Sequence, residues 1–345
     1  MSRVDLQESA NVNSGLDAGV DGARSKRRVR WFANVLRSYP VLFGMVLTVV
    51  VLEVATPELL SGGEIMSILN QIAPVAIIAM GLSVALSASA LDISVAQSAD
   101  MGAVAAGLLL AAGASAWETI VIVVLVGVAV GVVNGFVASW IGVSSLITTL
   151  AMTFLLQGVE LILTHGGAAT TLFSLSGSAS VQFARLGQGS LGAVSVSLLI
   201  AIGIALLLLG LERRSILGRE IRLVGQNLSA AAAIGIRVRR RFAAAFVISA
   251  VVGSLAGLMI LAMTGIASPG SGSAFLVEAF AAAYLGGLAG RRPRFGTVEA
   301  CVGAVYVSIL ATGLTLMGAN AALQDVVEGG LLIVAIGLNR MRAYG

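Results

Sequence analysis

The sequence predicts an all-α, polytopic membrane protein with about ten transmembrane helices. Of its 345 residues, 58% are hydrophobic and 11% are charged, whereas soluble domains hold about 45 to 50% apolar and about 25% charged residues. The mean hydropathy is +0.99. Many apolar stretches approach the roughly 20 residues that a helix needs to cross about 30 Å of hydrocarbon. Aromatic residues make up only 5% of the chain, which argues against a transmembrane barrel with aromatic girdles.

The amino-terminal region, residues 1–38, is polar and shows no apolar periodicity. This composition predicts a disordered cytoplasmic tail. The first apolar segment begins near Pro40 and lacks an obvious small-residue cleavage site, which favours a retained helix over a cleaved signal peptide. We therefore expect residues 39–345 to form the transmembrane domain.

Ten apolar segments follow the tail, and each predicts a membrane-spanning helix. The third and eighth are the weakest, because Asp100 and Glu278 interrupt them, and either is a candidate for a broken or half-membrane segment. The ten segments run from Pro40 to Thr56, Gln71 to Ser89, Val95 to Gly113, Thr119 to Trp140, Ser144 to Thr164, Leu191 to Leu211, Phe242 to Ile266, Ala274 to Ala289, Phe295 to Met317 and Asn320 to Leu338.

The positions of the basic residues predict the orientation. With ten crossings and a cytoplasmic amino terminus, every Lys and Arg except Arg185 lies in a segment predicted to be cytoplasmic. Basic residues are retained in short cytoplasmic loops. Both termini are therefore predicted to be cytoplasmic, and a miscounted pair of helices would leave most of these loops on the same side.

Three residue types that occur once each exclude several classes of site. One histidine, His165, excludes metal sites built on histidine pairs, and one cysteine, Cys301, excludes an intramolecular disulfide. The single lysine, Lys26, follows a serine, so the chain has no G-x-x-x-x-G-K-[ST] phosphate-binding loop. If the protein uses ATP, we expect another polypeptide to bind it.

Glycines at four-residue spacing predict close helix contacts. We expect these contacts within the subunit, with a dimer seam or a pore wall as the alternatives. The stripes are Gly127, Gly131 and Gly135, then Gly253 and Gly257, then Gly286 and Gly290.

Charged side chains at membrane depth cost on the order of 2.5 to 3.5 kcal/mol each, so each needs a reason. Asp92 and Ser94 occupy a polar break where they would cap a helix or contact a solute. Asp100 and Glu160 would line an aqueous path or form internal hydrogen bonds. The predicted pathway or gate residues are Asp92, Ser94, Asp100, Glu278 and Asp325.

The polar segment from Glu212 to Arg241 interrupts the apolar pattern. Ser229 to Ile234 is alanine-rich and predicts a short helix, with Asn227 as its amino-terminal cap and Gly235 as its left-handed end. Its small side chains would leave a smooth surface for another protein. An ordinary basic connector is the alternative.

Four segments, in the same order along the chain, together carry a resemblance to a known family. Asn227 to Ile236 resembles the motif N-x-E-A-A-x-x-x-G-I, and Leu91 to Val95 resembles I-D-L-S-V-G. Ala281 to Gly287 resembles A-A-x-x-L-G-G. Gly313 to Leu316, followed by Asp325 to Gly329, resembles N-G-L-x-L with Q-D-V-V-x-G. These motifs are those of the permease subunits of ABC importers, in the branch that transports ribose and other simple sugars.

The resemblance implies a bacterial inner-membrane permease that is not itself an enzyme and holds no cofactor. Two permease subunits would form the pathway for a monosaccharide or a similar small polar solute, ABC ATPase subunits would bind ATP–Mg, and an extracytoplasmic protein would deliver the solute. No nucleic acid is expected. The implied ATPase-coupling residues are Gly218, Arg219, Asn227, Ser229, Ala230, Ala231, Gly235 and Ile236.

This sequence departs from the family pattern at several positions. Ser229 replaces the motif glutamate, Ala96 replaces a glycine, and Thr312 stands where asparagine is usual. Arginines at 291, 292 and 294 replace a glycine-rich stretch. An alternative function is secondary transport driven by an ion gradient, for which broken helices near Asp100 or Glu278 would be suitable, although the sequence lacks intramembrane basic partners. A scaffold protein is a third reading.

Overall fold

A computed structural model describes residues 39–175, 178–192, 194–290 and 293–344. The predicted disordered tail lies outside these residues. The helices are α1 (Pro40–Ala55), α2 (Gly62–Ser87), α3 (Ser94–Ala111), α4 (Ala116–Phe136), α5 (Ser145–Leu163), α6 (Ser178–Gln188), α7 (Val196–Arg214), α8 (Ile216–Gln226), α9 (Leu228–Ala233), α10 (Val238–Thr264), α11 (Leu276–Gly287), α12 (Thr297–Leu316) and α13 (Ala321–Tyr344).

Each of the ten predicted spans corresponds to a helix, namely α1 to α5, α7 and α10 to α13. Eight helices in the described part of the chain are long and apolar enough to cross a membrane, and α1 and α11 are shorter apolar helices. The all-α, polytopic fold is therefore confirmed. The third predicted span is an unbroken helix, α3, in spite of Asp100, whereas the eighth is the 12-residue helix α11.

Glycine stripes join the helices at the centre of the bundle. A side-chain carbon at Gly127, Gly131 or Gly135 of α4 would overlap backbone atoms of α10. Gly253 and Gly257 of α10 press in the same way against the backbone of α3. Larger residues would separate these backbones, so the stripes serve packing within the subunit, as the sequence predicted.

Contacts between helix ends show how the bundle is arranged. The carboxyl end of α2 meets α8, since a side-chain carbon on Gly225 would overlap the Ser87 carbonyl oxygen. Glu212, near the end of α7, accepts a hydrogen bond from the Thr297 backbone N–H at the start of α12. The same end of the bundle carries arginines of α7, α8 and α10, and we call it the basic end.

The described chain begins and finishes at the basic end. Thr48 of α1 contacts Tyr306 of α12 at 3.1 Å, and Leu52 packs on Gly313, so α1 runs parallel to α12. Gln324, near the start of α13, donates to Thr315, near the far end of α12. Helix α13 therefore returns to the basic end. This arrangement agrees with an even number of crossings, and the assignment of this end to the cytoplasm stays a prediction.

Short elements close the opposite end. Strands β1 (Thr170–Thr171) and β4 (Ile266–Ala267) pair antiparallel, as do β2 (Ser190–Leu191) and β3 (Val194–Ser195). Helix α6 packs on α10, and the aromatic side chain of Phe183 is buried there. The sequence reading did not anticipate α6, because its 11 residues are too few to span a membrane and only one face is apolar.

Candidate functional site

The basic end is organised around the buried carboxylate of Glu212. Its Oε1 atom accepts hydrogen bonds from the backbone N–H and the hydroxyl of Thr297, at 2.9 and 2.7 Å. Arg222 of α8 lies 3.6 Å from Oε2. One carboxylate thus satisfies the amino terminus of α12 and also contacts α8, so it joins three helices.

Helix α8 is seated firmly on the bundle. Its buried residues are Gly218, Ile221 and Val224. Ser89, in the turn after α2, donates a hydrogen bond of 2.8 Å to the carbonyl oxygen of Gly225, near the carboxyl end of α8. A salt bridge between Glu220 and Arg241 ties α8 to the start of α10.

Helix α9 projects from this seat. Asn227 Oδ1 accepts a 2.9 Å hydrogen bond from the Ala230 backbone N–H, which caps the helix. Gly235 has φ of +85°, the left-handed conformation that a glycine after a helix adopts readily. The predicted short helix, its cap and its glycine end are confirmed as local structure. Their coupling role stays a prediction.

The predicted coupling residues divide into exposed and buried groups. Arg219, Asn227, Ser229, Ala230 and Gly235 are exposed, and Ile236 is half-buried. Ala231 faces the bundle with only 2% of its surface exposed. Ala231 and Gly218 therefore hold the segment in place, and they do not offer a surface to a partner. The exposed face of α9 carries Leu228 and Ile234, which are 57% and 70% exposed.

A basic cleft lies beside α9. It is lined by Trp140, which follows α4, by Ala232 and Ile236, and by the arginines that open α10. Arg237, Arg239 and Arg240 supply its charge. Apolar side chains next to guanidinium groups are the surface that an acidic partner with an apolar anchor would fit.

Asp92 and Ser94 lie inside the subunit. Both are fully buried, and the Ser94 hydroxyl donates to Asp92 Oδ1 at 2.7 Å while it accepts from Asn134 Nδ2 at 2.8 Å. The Asp92 carboxylate also faces the backbone N–H groups of Ser94 and Val95, which open α3. The residue that caps α3 is Ile93 and no side chain makes a capping hydrogen bond there, so the capping interpretation of Asp92 stays a prediction.

Asp100 and Glu160 also form internal hydrogen bonds. Gln97 donates to Glu160 Oε2 at 2.8 Å. Asp100 is fully buried and accepts from the backbone N–H groups of Gly272 and Ser273, the latter at 2.9 Å. Ser273 opens the 3₁₀ turn that leads into α11. Asp100 therefore holds the start of α11 against the side of α3.

The start of α11 lies within the span of α3. Asp100 is about 9 Å along α3 from its first residue, at 1.5 Å per residue. From there, the 12 residues of α11 run to the basic end, where Gly286 packs against α12. Residues 265–275 thus re-enter the bundle, and α11 is the half-membrane segment that the sequence allowed.

Glu278 and Asp325 are brought together between α11 and α13. Glu278 interacts electrostatically with Asp325, and both interact with Glu328. Glu278 is half-buried, Asp325 is exposed, and Glu328 is 3% exposed. Of the predicted pathway residues, these two lie at the outer surface of the subunit, whereas Asp92, Ser94 and Asp100 lie in its interior. In the described residues, no group of three or more His, Cys, Asp or Glu side chains is arranged to hold a metal ion.

Comparison with known proteins decides the family. Residues 64–336 match the family described as "Branched-chain amino acid transport system / permease component". The chain belongs to this family of permeases. The matched region extends from the start of α2 into α13 and includes every predicted site residue.

Several curated relatives of the permease align over most of its length. The D-allose transport system permease protein of Escherichia coli (strain K12) is 30% identical over 95% of this chain and 99% of its own. The ribose import permease protein of the same strain is 26% identical over 89% and 95% of the two chains. The fructose import permease protein of Bifidobacterium longum is 27% identical over 79% and 76%. No solved structure matches the chain.

The family and the helices together make the chain a multi-pass protein of the bacterial inner membrane, and a transport component that is not an enzyme. Sequence reasoning missed two carboxylates in this permease. Glu212 was noted only as the start of a polar segment, although a glutamate at the end of an apolar segment, just before a basic run, is itself a signal for an internal ion pair. Glu328 is not among the predicted pathway residues, although it interacts electrostatically with Glu278 and Asp325.

Proposed function

We propose that this permease is the membrane subunit of an ATP-driven ABC importer for a monosaccharide. The proposal on the solute comes from the relatives, whose names specify D-allose, ribose and fructose. The family description names branched-chain amino acids, but the sugar permeases match nearly end to end. The ion-gradient alternative is not favoured.

The observation that supports the coupling mechanism is the contrast between α8, which buries one face against the bundle, and α9, which is mostly exposed. A partner ATPase subunit would cover the exposed face of α9, with Leu228 and Ile234 as apolar anchors and the basic cleft beside them. When two ATPase subunits bind ATP–Mg and close, they would push α9. The push passes through α8 to α2, α7 and α12, because Gly225 and Glu212 fix α8 to those helices.

Further partners complete the proposal. A second permease subunit, most simply an identical one, would form the other half of the pathway, and an extracytoplasmic binding protein would deliver the sugar. This chain would hold no cofactor, since its only lysine excludes a phosphate-binding loop.

Reconstitution into liposomes tests the energy source. The permease, its ATPase subunits and the binding protein should take up D-allose or D-ribose only when ATP is enclosed with the ATPase subunits, and an uncoupler should not reduce uptake. Uptake by the permease alone, driven by a proton or sodium gradient, would replace this proposal with the secondary transporter.

Crosslinking tests the docking surface. In a Cys301→Ala background, a cysteine at exposed Ala230 should crosslink to the ATPase subunit, whereas a cysteine at buried Ala231 should not. The two positions are adjacent on one helix, so they are a matched pair. If neither Ala230 nor Ser229 crosslinks, α9 is only a connector.

A further inference from the structure

One face of the bundle carries polar side chains among apolar helices, of which Gln71, Thr315 and Asp325 are exposed, whereas Thr312 and Glu328 are each 3% exposed. This face is formed by α2, α11, α12 and α13. The contacts run from helix to helix, and we call this set the polar strip. Its members are Gln71, Glu278, Thr312, Thr315, Gln324, Asp325 and Glu328.

Two hydrogen bonds and a set of longer-range electrostatic interactions connect members of the polar strip. The Thr312 hydroxyl lies 3.4 Å from Gln71 Oε1, and Gln324 Nε2 donates to Thr315 Oγ1 at 3.1 Å. Thr312 and Thr315 are one turn apart on α12, and Gln324 precedes Asp325. From Asp325 the strip continues to Glu278 and Glu328.

Contact of this face with lipid hydrocarbon is unfavourable. Carboxylates at membrane depth face the bundle interior or a water-filled cavity, because hydrocarbon solvates them badly. Glu328 is only 3% exposed, and no hydrogen bond or ion pair of its carboxylate is found among the described residues. The charged groups that interact with it are the carboxylates of Glu278 and Asp325. Among the described residues none of these three carboxylates has a basic partner, which favours water or a polar solute beside them.

The half-membrane helix α11 gives the polar strip a second feature of a transport path. Helices that begin inside a membrane occur where their free backbone groups are covered by protein or by an aqueous cavity, and transporters build solute sites at such breaks. Glu278 lies in the first turn of α11. Asp100 holds this helix in place from behind, through Gly272 and Ser273, so Asp100 is a positioning residue for Glu278.

We propose that the polar strip is the solute-contacting wall of the pathway and that it suits uncharged polyhydroxyl solutes over anions. The proposal rests on the monosaccharide function above. Carboxylate and amide oxygens accept hydrogen bonds from sugar hydroxyls. An anion would meet Glu278, Asp325 and Glu328 with no basic side chain on the strip, and Asp100 already occupies the amide groups at the start of α11.

Thr312 connects the polar strip to a departure from the family motif. It stands where asparagine is usual, and here it bonds to Gln71. A hydroxyl offers one donor where an amide offers two. Thr312 is itself only 3% exposed, so it acts through Gln71 as a positioning residue of the wall.

Thiol accessibility in the assembled transporter tests whether water reaches the polar strip. Single cysteines replace Gln71, Glu278 or Asp325 in a Cys301→Ala background. The matched controls are Gln157→Cys, an exposed amide position on α5, and Leu206→Cys, 63% exposed on α7. A membrane-impermeant methanethiosulfonate should modify the strip positions, while the controls react on the order of a hundredfold more slowly, since hydrocarbon opposes thiolate formation as it opposes other charges.

The charge of the reagent tests the selectivity. At Gln71→Cys, the trimethylammonium reagent should exceed the sulfonate reagent by on the order of a hundredfold after correction for their rates with a free thiol, since one carboxylate about 10 Å away attracts the first and repels the second at an effective dielectric of about 20. Equal corrected rates would remove the charge argument. If the cysteines on the polar strip react no faster than Gln157→Cys, the polar strip does not line an aqueous pathway. That result would indicate a water-free interface between two copies of the permease.

Uptake separates this proposal from the monosaccharide function. Glu278→Gln and Thr312→Asn should change the KM or the relative uptake of D-allose and D-ribose, while Gln157→Leu leaves both unchanged. Wild-type liposomes that import neither sugar would remove the monosaccharide function, and the accessibility result would stand by itself. Wild-type uptake with no change in either strip variant would overturn the wall and leave the importer intact.

Discussion

Helices α8 and α9 are neighbours on the chain, separated only by Asn227, yet they relate to the bundle in opposite ways. Helix α8 buries one face and uses glycines where it touches α2 and α7. Helix α9 has six residues and buries only Ala231. A helix this short is marginal by itself in water. In the proposed mechanism, this difference suits α8 to transmit a displacement and α9 to receive one.

The largest expected effect comes from unseating α8. Gly225→Leu should abolish folded permease, because even its first side-chain carbon would overlap the Ser87 carbonyl oxygen, and overpacking costs about 1 to 3 kcal/mol or more. Gly210→Leu on α7 is the matched control, since nothing lies within 4 Å of that position. Size-exclusion profiles in detergent and thermal stability measure both. A well-folded Gly225→Leu protein would mean that α8 is only loosely held.

The second-largest effect is expected from Gly235→Trp, which should abolish transport while the permease remains in the membrane. Gly235→Trp puts a bulky residue at φ of +85° beside the exposed face of α9, and a non-glycine residue in this conformation costs roughly 1 to 2 kcal/mol. We expect normal membrane levels and no uptake. Gly235→Asn should retain most uptake, because asparagine tolerates the conformation. Uptake in the Trp variant would show that no partner contacts this surface.

A smaller effect follows from loss of the cap on α9. Asn227→Ala removes the acceptor for the Ala230 N–H, at a cost of about 1 kcal/mol of helix stability. Because α8 holds the rest of the segment, we expect stable permease with more ATP hydrolysed per sugar imported. Asn227→Asp should restore the ratio. An unchanged ratio in the alanine variant would show that α9 does not need to be helical in order to couple.

The smallest effect concerns Ser229, where this chain departs from the coupling motif. Ser229→Glu places a negative charge in the first turn of α9, worth about 0.3 to 1 kcal/mol with the helix dipole. We expect unchanged folding and an altered affinity for the ATPase subunit, measured by titration of the purified complex. Ala233→Glu, at the other end of the helix, is the control. Equal effects from both would assign the change to charge alone.

Much of the fold was predictable because a membrane imposes a simple rule on the sequence. Long apolar segments must form helices, so all ten helical segments could be predicted from residue types, and the spacing of Gly127, Gly131 and Gly135 predicted a close helix contact but not that its partner is α10. Local signals also sufficed for α9, since Asn227 and Gly235 act on their own neighbours. Orientation at the basic end rests on charge counting alone.

Which polar groups meet depends on the packing of the helices. The sequence determined that Asp92, Asp100, Glu160, Glu278 and Asp325 needed partners, because a charge in hydrocarbon is costly. It did not determine that Asp100 holds the start of α11, 172 residues away along the chain, or that Glu278 and Asp325 share an outer face. Those pairings depend on how the helices pack, which no local pattern encodes.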